Sequence, residues 1–180
     1  MRPTILVGTS TVHGAFTEQI VREMAGHVDR PVILPMSNPT SLSEATPADL
    51  MDWTGGRALI AAGSPFGPVT YQGVTYQIGQ ANNALIFPGL GLGALLSQVR
   101  RITDHMITAA AQAVAGLADT ATPGAPLLPP IDDLRTTSAQ VALVVAQAAA
   151  HDGVAGLPGI TADTVSAAMW QPRYAPVHAV

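Results

Sequence analysis

The chain has 180 residues, 48% of them hydrophobic and 11% charged, which is enough apolar material for a core and excludes a disordered chain. Its net charge is −4 and its largest basic cluster is Arg100-Arg101, so a nucleic-acid-binding surface is excluded. Cysteine is absent and all 8 basic residues are arginine, which excludes disulfides, thiolate chemistry, a lysine general base and a phosphate-loop lysine.

The chain begins with a strand and a helix. Residues 4–8, TILVG, form an apolar run that ends in glycine, which predicts a buried strand leading into the loop GTSTVHG. Thr17 is the predicted N-cap of the helix that follows. We expect Ile20, Val21 and Met24 to share its buried face.

The next elements repeat this alternation. Residues 31–36, PVILPM, predict a second strand that runs into SNPT. Thr46, followed by proline, predicts the start of a second helix, and 58–62, ALIAA, predict a third strand that runs into GSP. This order predicts an α/β fold, a Rossmann-like parallel sheet with C-terminal helices after it. The loops GTS, SNPT and GSP then lie at the carboxyl ends of the strands, where such sheets bind ligands.

The second half is mainly helical. VTYQGVTYQI predicts a hairpin about Gly73, Thr103 is the predicted N-cap of one helix, and 138–150 form another. We expect the tail after Gly153 to be loose, with WQPRY as its aromatic packing element. The predicted regions are a partial Rossmann-like region at 1–82, a helical segment at 83–152 and a C-terminal tail at 153–180.

Residues 84–99 are the most apolar run of the chain. This run carries Pro88 and three glycines and is shorter than the roughly 20 residues of a spanning helix, so we expect no membrane contact. The alternating Gly89, Gly91 and Gly93 lack the spacing of the dinucleotide loop G-x-G-x-x-G, which favours helix packing instead. No secretion signal is visible at the start, and the missing cysteine is compatible with a cytoplasmic location. The low charge favours an extensive interface, and we expect a homo-oligomer.

Five polar residues are candidates for a site, and each has a structural alternative. Asn38, before proline in SNPT, suits a turn as well as a ligand contact. Thr9 and Ser10 are turn formers or hydroxyl donors to a ligand. Asn82 and Asn83 precede the apolar run, where capping a helix accounts for one amide more easily than for two.

The histidines do not predict a metal site. The five, at positions 13, 27, 105, 151 and 178, show no metal-ligand spacing, so we expect surface positions or caps. Ser64 in GSP suggests a hydrolase nucleophile, but no Ser-His-Asp set can be assembled around it.

Three long segments resemble the malic enzyme family in order and spacing. They are RPVILPMSNPTSLSEATPADLMDWTGGRALIAAGSPFGPV, GQANNALIFPGLGLGALLSQVRRITDHMITAAAQAV and LLPPIDDLR. LVGTSTVHGAFTEQIVREMA before them and W-x-P-x-Y after them extend the resemblance over residues 3–174.

The resemblance implies an activity and a set of site residues. Malic enzymes oxidise L-malate with NAD or NADP and Mg or Mn, then decarboxylate the bound oxaloacetate to pyruvate. By this resemblance Asn38 contacts malate and the nicotinamide end of the cofactor. Asn82 and Asn83 line the same pocket as substrate-binding residues, with Asn82 also a cofactor contact. The loop of Gly8, Thr9 and Ser10 lies against the dinucleotide. Ala81 departs from the family's usual glycine, which predicts a strained or shifted loop if that position needs positive φ.

The resemblance also implies that part of the catalytic apparatus lies outside this chain. The family's tyrosine acid, lysine base, metal-binding carboxylates and first glycine-rich loop all lie upstream of the matched region. We therefore expect the NAD-binding C-terminal part of a malic enzyme, inactive alone and partnered by an upstream catalytic half. The alternative is a non-catalytic nucleotide-binding or structural module that kept the fold.

Overall fold

The structure is a computed structural model that describes residues 2–119 and 121–171. Its strands within these residues are β1 (Ile5–Gly8), β2 (Val32–Pro35), β3 (Leu59–Ala62), β4 (Val69–Tyr71), β5 (Val74–Tyr76) and β6 (Gly79–Gln80). Strands β1, β2, β3 and β6 form a parallel sheet in that spatial order, while β4 and β5 form the antiparallel hairpin about Gly73. The predicted α/β sheet and hairpin are confirmed. Strand β6 was not predicted, because two residues carry no periodic signal.

The first five helices follow the predicted order, and the sixth was not predicted. They are α1 (Glu18–Ala25), α2 (Pro47–Trp53), α3 (Phe87–Leu96), α4 (Asp104–Ala115), α5 (Leu134–His151) and α6 (Ala162–Ala168). The predicted caps are confirmed at Thr17, Thr46 and Thr103, whose side chains accept hydrogen bonds from backbone N–H groups in the first turns of α1, α2 and α4. Within the described residues, no helix combines the length and the apolar character needed to cross a membrane.

Two hydrophobic cores hold these elements. The first lies between the sheet and helices α1 and α2, where Val21, Ile33 and Leu50 are fully buried. The second lies among α3, α4 and α5, where Met106 and Val145 are fully buried. The sheet and the C-terminal helices thus have separate interiors.

The alternating glycines pack α3 against α5, as the sequence predicted. A Cβ on Gly89 would lie 2.6 Å from the Ser138 carbonyl oxygen, and one on Gly93 would lie 2.4 Å from the Ala142 carbonyl oxygen. Gly91, on the other side of α3, has nothing within 4 Å of the corresponding position. Two of the three glycines therefore allow the close approach of two helices.

Four expectations about individual segments are wrong. Strand β1 was predicted to be buried, but it is an edge strand whose Ile5 and Val7 are 55% and 56% exposed. Ile20 is 47% exposed, so the buried face of α1 consists of Val21, Met24 and Ala25. The tail after Gly153 contains α6, whose Val165 is buried. Trp170 is 78% exposed and does not act as a packing element, while residues 172–174 of the WQPRY motif lie outside the described residues.

Candidate functional site

The candidate residues all follow a strand of the parallel sheet. Gly8 ends β1 and leads to Thr9 and Ser10, β2 leads to Asn38, and β6 leads to Asn82 and Asn83. Because the strands are parallel, their carboxyl ends meet at the same edge of the sheet. The structure therefore gathers residues that are far apart in sequence.

A cavity of about 280 Å³ lies at this edge. It is lined by Asn38, Gly63, Gln80, Ala81, Asn82 and Asn83. The chain has asparagine at positions 38, 82 and 83 only, so every asparagine in the sequence lines this one cavity. Gly8, Thr9 and Ser10 are not among its lining residues and lie to one side of it, after β1.

Asn38 is oriented by a neighbour from the loop after β3. Its Oδ1 accepts a hydrogen bond of 2.6 Å from the Oγ of Ser64, which is buried, whereas Asn38 itself is exposed. Its Nδ2 makes only a long contact of 3.5 Å with the Met36 carbonyl oxygen. The amide oxygen is thus held and the amide NH₂ remains able to donate to a ligand. In the structure the Ser64 hydroxyl therefore orients the Asn38 amide.

The two adjacent asparagines differ in how they are bonded. Asn82 is the N-cap of a short 3₁₀ turn at Asn83–Leu85, and its Oδ1 accepts from the Ala84 N–H at 2.9 Å. Its NH₂ group is left to donate. Asn83 is exposed, and no described residue forms a hydrogen bond with its side-chain amide. Capping therefore accounts for the hydrogen bond of the Asn82 side-chain oxygen, but it gives no role to the side chain of Asn83.

The floor of the cavity depends on close backbone contact. A Cβ on Gly63 would lie 2.1 Å from the Met36 carbonyl oxygen, so only glycine fits here. Gln80 donates from Nε2 to the Gly63 carbonyl at 3.2 Å, and the Ala81 N–H donates to the Ala62 carbonyl at 2.8 Å. Ala81 is not among the described non-glycine residues with positive φ, so alanine causes no backbone strain at this position.

Glu44 joins the loop after β1 to the loop after β2. Its Oε1 accepts from the Ser10 N–H at 2.7 Å, from the Ser10 Oγ at 2.9 Å and from the Ser37 Oγ. Its Oε2 accepts from the Ser37 N–H at 3.3 Å, and the Ser37 Oγ in turn accepts from the Thr11 N–H at 2.8 Å. A single carboxylate therefore fixes both loops.

The Glu44 side chain is completely buried, yet it is ionised. Burial raises the pKa of this carboxyl group, but the hydrogen bonds from Ser37 and Ser10 outweigh burial and lower the pKa from 4.5 to about 2. The negative charge is thus stabilised by donors of the two loops that it connects.

Glu44 was not among the residues predicted from the sequence, although a signal for it exists. It is the only charged residue between Arg30 and Asp49, in a stretch that is otherwise apolar or uncharged. A lone carboxylate between two buried elements needs partners, but the sequence does not show which loops supply them.

A larger cavity of about 1140 Å³ lies on the other side of residues 81–83. Ala81, Asn82 and Asn83 line both cavities, whereas α4 and the segment 121–128 complete the larger one with Val114, Pro126 and Leu128 among its walls. We assign the candidate site to the smaller cavity, because the three asparagines converge only there.

Comparison with known proteins identifies the family. Residues 1–150 match the family described as "Malic enzyme, NAD binding domain". NAD-dependent malic enzyme 3 of Bacillus subtilis (strain 168) is 61% identical over 180 residues, which are 99% of this chain and 32% of that protein. Malolactic enzyme of Leuconostoc mesenteroides is 51% identical over 154 residues, which are 86% of this chain and 28% of that protein.

Solved structures agree with the sequence matches. The malic enzyme of Entamoeba histolytica superposes with a TM-score of 0.73 at 26% identity, over 91% of this chain and 30% of that one. The malic enzyme of Pyrococcus horikoshii Ot3 superposes with a TM-score of 0.69 at 26% identity, over 91% of this chain and 34% of that one. The chain spans about a third of the length of the curated relatives it matches. It belongs to the malic enzyme family and matches that family's NAD-binding domain.

Proposed function

We propose that this chain forms the NAD-binding part of a malic enzyme and supplies three asparagine amides that orient L-malate and the nicotinamide end of the cofactor. The complete enzyme then oxidises L-malate and decarboxylates the product to pyruvate. The observation that carries this proposal is the gathering of Asn38, Asn82 and Asn83, the only asparagines of the chain, at one cavity.

The chemistry of these amides fits such a ligand. Asn38 and Asn82 have their oxygens bonded within the protein and keep NH₂ groups that can donate to a carboxylate or carboxamide. Neutral amides orient an anion by directional hydrogen bonds without adding a charge. A cavity of about 280 Å³ suits one end of the cofactor together with a small acid, and is too small for a whole dinucleotide. Bound NAD supplies the acceptor for the hydride that leaves malate.

Ser10 acts by holding its loop and not by direct donation. Its N–H and its hydroxyl both donate to Glu44, so neither is available to a ligand. We propose that Gly8 and Thr9 present the surface against which the dinucleotide lies. Gly8 has no room for a side chain, because a Cβ there would lie 2.7 Å from the Cδ of Glu44. Glu44 is therefore a positioning residue beneath the cofactor loop.

We place the base and the metal-binding carboxylates in an upstream part of the enzyme. The chain has no lysine, so a lysine base has to come from another segment. By its resemblance to malic enzymes, we propose that the ligands for Mg or Mn lie in that upstream segment as well. Strand β1 is at the edge of the sheet, and its Ile5 and Val7 are 55% and 56% exposed. An exposed apolar edge strand is a surface to which a further strand pairs. In this arrangement residues 1–82 complete the cofactor domain, 83–152 return to the substrate domain, and 153–180 follow as the tail.

A chimera tests the proposal. The matching third of the Bacillus subtilis relative is replaced by this chain, and malate-dependent NADH formation and pyruvate are measured with Mn²⁺ present. Asn38→Ala and Asn83→Ala should each lower kcat/KM about tenfold or more, because a lost hydrogen bond to a charged group costs about 1.5–3 kcal/mol. Gln112→Ala removes an exposed amide on α4 and serves as the matched control.

The outcomes separate the possible functions. A chimera that folds but yields no NADH would overturn the malic enzyme proposal. Equal activities of the Asn83→Ala and Gln112→Ala chimeras would overturn the role assigned to the asparagine amides. The similarity to malolactic enzymes favours a second candidate, which lactate formation without NADH accumulation would reveal. Robust NADH formation by the isolated chain would contradict the placement of the base upstream. Micromolar NAD binding by a chain that supports no turnover in the chimera would favour the non-catalytic module.

A further inference from the structure

Two histidines and an aspartate meet where α5 ends beside the start of α4. His105 lies in the first turn of α4, His151 is the last residue of α5, and Asp152 caps α5. The Nδ1 atoms of His105 and His151 lie 2.8 Å and 3.2 Å from the same Asp152 atom, Oδ1. Both histidines are exposed, as the sequence predicted, and the fold brings these residues of two helices together.

We propose that His105, His151 and Asp152 form a binding site for a divalent transition-metal ion, of which Zn²⁺ is the best match. One ligand atom from each residue can be chosen so that all three lie within 4.8 Å of one another. Two imidazole nitrogens and one carboxylate oxygen are a donor set that suits Zn²⁺, Cu²⁺ and Ni²⁺ better than Mg²⁺.

The two nitrogen–oxygen distances and the distance between the imidazole rings are compatible with a tetrahedral site. Ligand atoms about 2.05 Å from a zinc ion at tetrahedral angles are about 3.3 Å apart, close to the two Nδ1–Oδ1 separations. Two imidazoles bound in this way have ring centres about 5.2 Å apart. The His105 and His151 rings are 5.3 Å apart and nearly perpendicular, at 73°. Small side-chain movements would therefore seat an ion.

A further residue fixes the carboxylate. The Thr103 hydroxyl donates to Asp152 Oδ2 at 2.6 Å, which leaves Oδ1 directed at the two histidines. Such a supporting bond orients metal-binding groups and is typical of built sites.

The site is open to solvent on one side. The side chains of His105 and His151 are 49% and 79% exposed, whereas that of Asp152 is 17% exposed. An ion can therefore enter without unfolding, and water can complete its coordination. None of the three residues lines either cavity, so we expect the ion to tie α4 to α5.

Calorimetric titration of the untagged, chelator-treated chain with zinc sulfate tests this proposal. One zinc ion should bind per chain, and the cobalt-substituted protein should show the visible absorption of tetrahedral Co²⁺. His105→Ala and His151→Ala should each weaken zinc binding by more than the ~10–100-fold that loss of a supporting residue costs. His27→Ala should bind zinc as the parent chain does, since His27 is an exposed histidine that pairs with Glu23 alone.

Both variants should fold, because the two histidines are exposed and alanine favours the helix. Far-UV circular dichroism of each variant checks that the helices are intact. Unchanged zinc affinity in His105→Ala or His151→Ala would overturn the proposal. So would the absence of zinc binding at millimolar zinc, which would leave the histidines as hydrogen-bond donors to Asp152 only.

Discussion

Replacing glycines of α3 one at a time by alanine tests how this helix packs. Gly93 faces α5, where a new Cβ would lie 2.4 Å from the Ala142 carbonyl oxygen and 3.0 Å from Val145 Cβ. Ordinary contact begins near 3.4 Å, so α3 and α5 must separate by about 1 Å, which forfeits a quarter to a half of each dispersion contact that is opened. The obstructing atom is backbone and cannot rotate away.

The magnitude follows from two opposing effects. Overpacking of a core costs about 1–3 kcal/mol, whereas removal of a helical glycine gains about 0.5–1 kcal/mol. We expect Gly93→Ala to lower the free energy of unfolding by about 1–2 kcal/mol. Gly91→Ala meets nothing within 4 Å, so it should raise the free energy of unfolding by about 0.5–1 kcal/mol.

Urea unfolding followed by far-UV circular dichroism measures both variants on the same helix. Gly89→Ala should behave like Gly93→Ala, since its Cβ would lie 2.6 Å from the Ser138 carbonyl oxygen. Equal effects of the Gly91 and Gly93 substitutions on the free energy of unfolding, or stabilisation by Gly93→Ala, would refute the reasoning. Helix propensity alone would then explain the results, without any effect of packing against α5.

Three further predictions concern the site and the helix junction. Glu44→Gln should destabilise the fold by about 1–3 kcal/mol in urea unfolding, because the amide NH₂ faces donors of the two loops. The ionised Glu44 stabilises the fold above pH 4.5, and this contribution is lost as the pH falls towards 2, so the Gln variant should lose less stability over that window. Asp152→Asn should likewise reduce the loss of stability as the pH falls from 3.8 to 2, which thermal unfolding at several pH values would show. Gly63→Ala should cost about 3 kcal/mol or more in urea unfolding because of the Met36 carbonyl oxygen, whereas Gly67→Ala, with nothing within 4 Å, should be nearly neutral.

The elements that the sequence predicted correctly depend on local signals. Thr17, Thr46 and Thr103 each accept a hydrogen bond from a backbone N–H only three residues later, so a short window contains the whole interaction. The apolar runs that end in glycine or proline became β1, β2 and β3 for the same reason. The resemblance to a known family added the three asparagines, which spacing alone left as turns and caps.

The features that were missed depend on distant residues. Glu44 bonds to Ser10, 34 positions earlier, and His105 approaches Asp152, 47 positions later. No periodicity links such pairs, because the fold alone decides which loop ends become neighbours. Ile20 was wrongly predicted to be buried, because neighbouring residues of a helix point in different directions and Ile20 is next to Val21, which is on the buried face of α1. Helix α6 was missed for a different reason, because its local signal was overlooked: Thr161 caps it by accepting a hydrogen bond from the Thr164 N–H, as Thr46 does for the equally short α2.

The shared bonds of Glu44 have a thermodynamic consequence. The loops after β1 and β2 cannot move independently, since displacement of Ser10 either carries Ser37 with it or breaks the bonds between Ser10 and the carboxylate. A ligand that orders one loop therefore lowers the entropic cost of ordering the other, and by linkage a second ligand on the other loop gives the same benefit in return. We therefore expect ligands of the two loops to bind cooperatively, without contact between them.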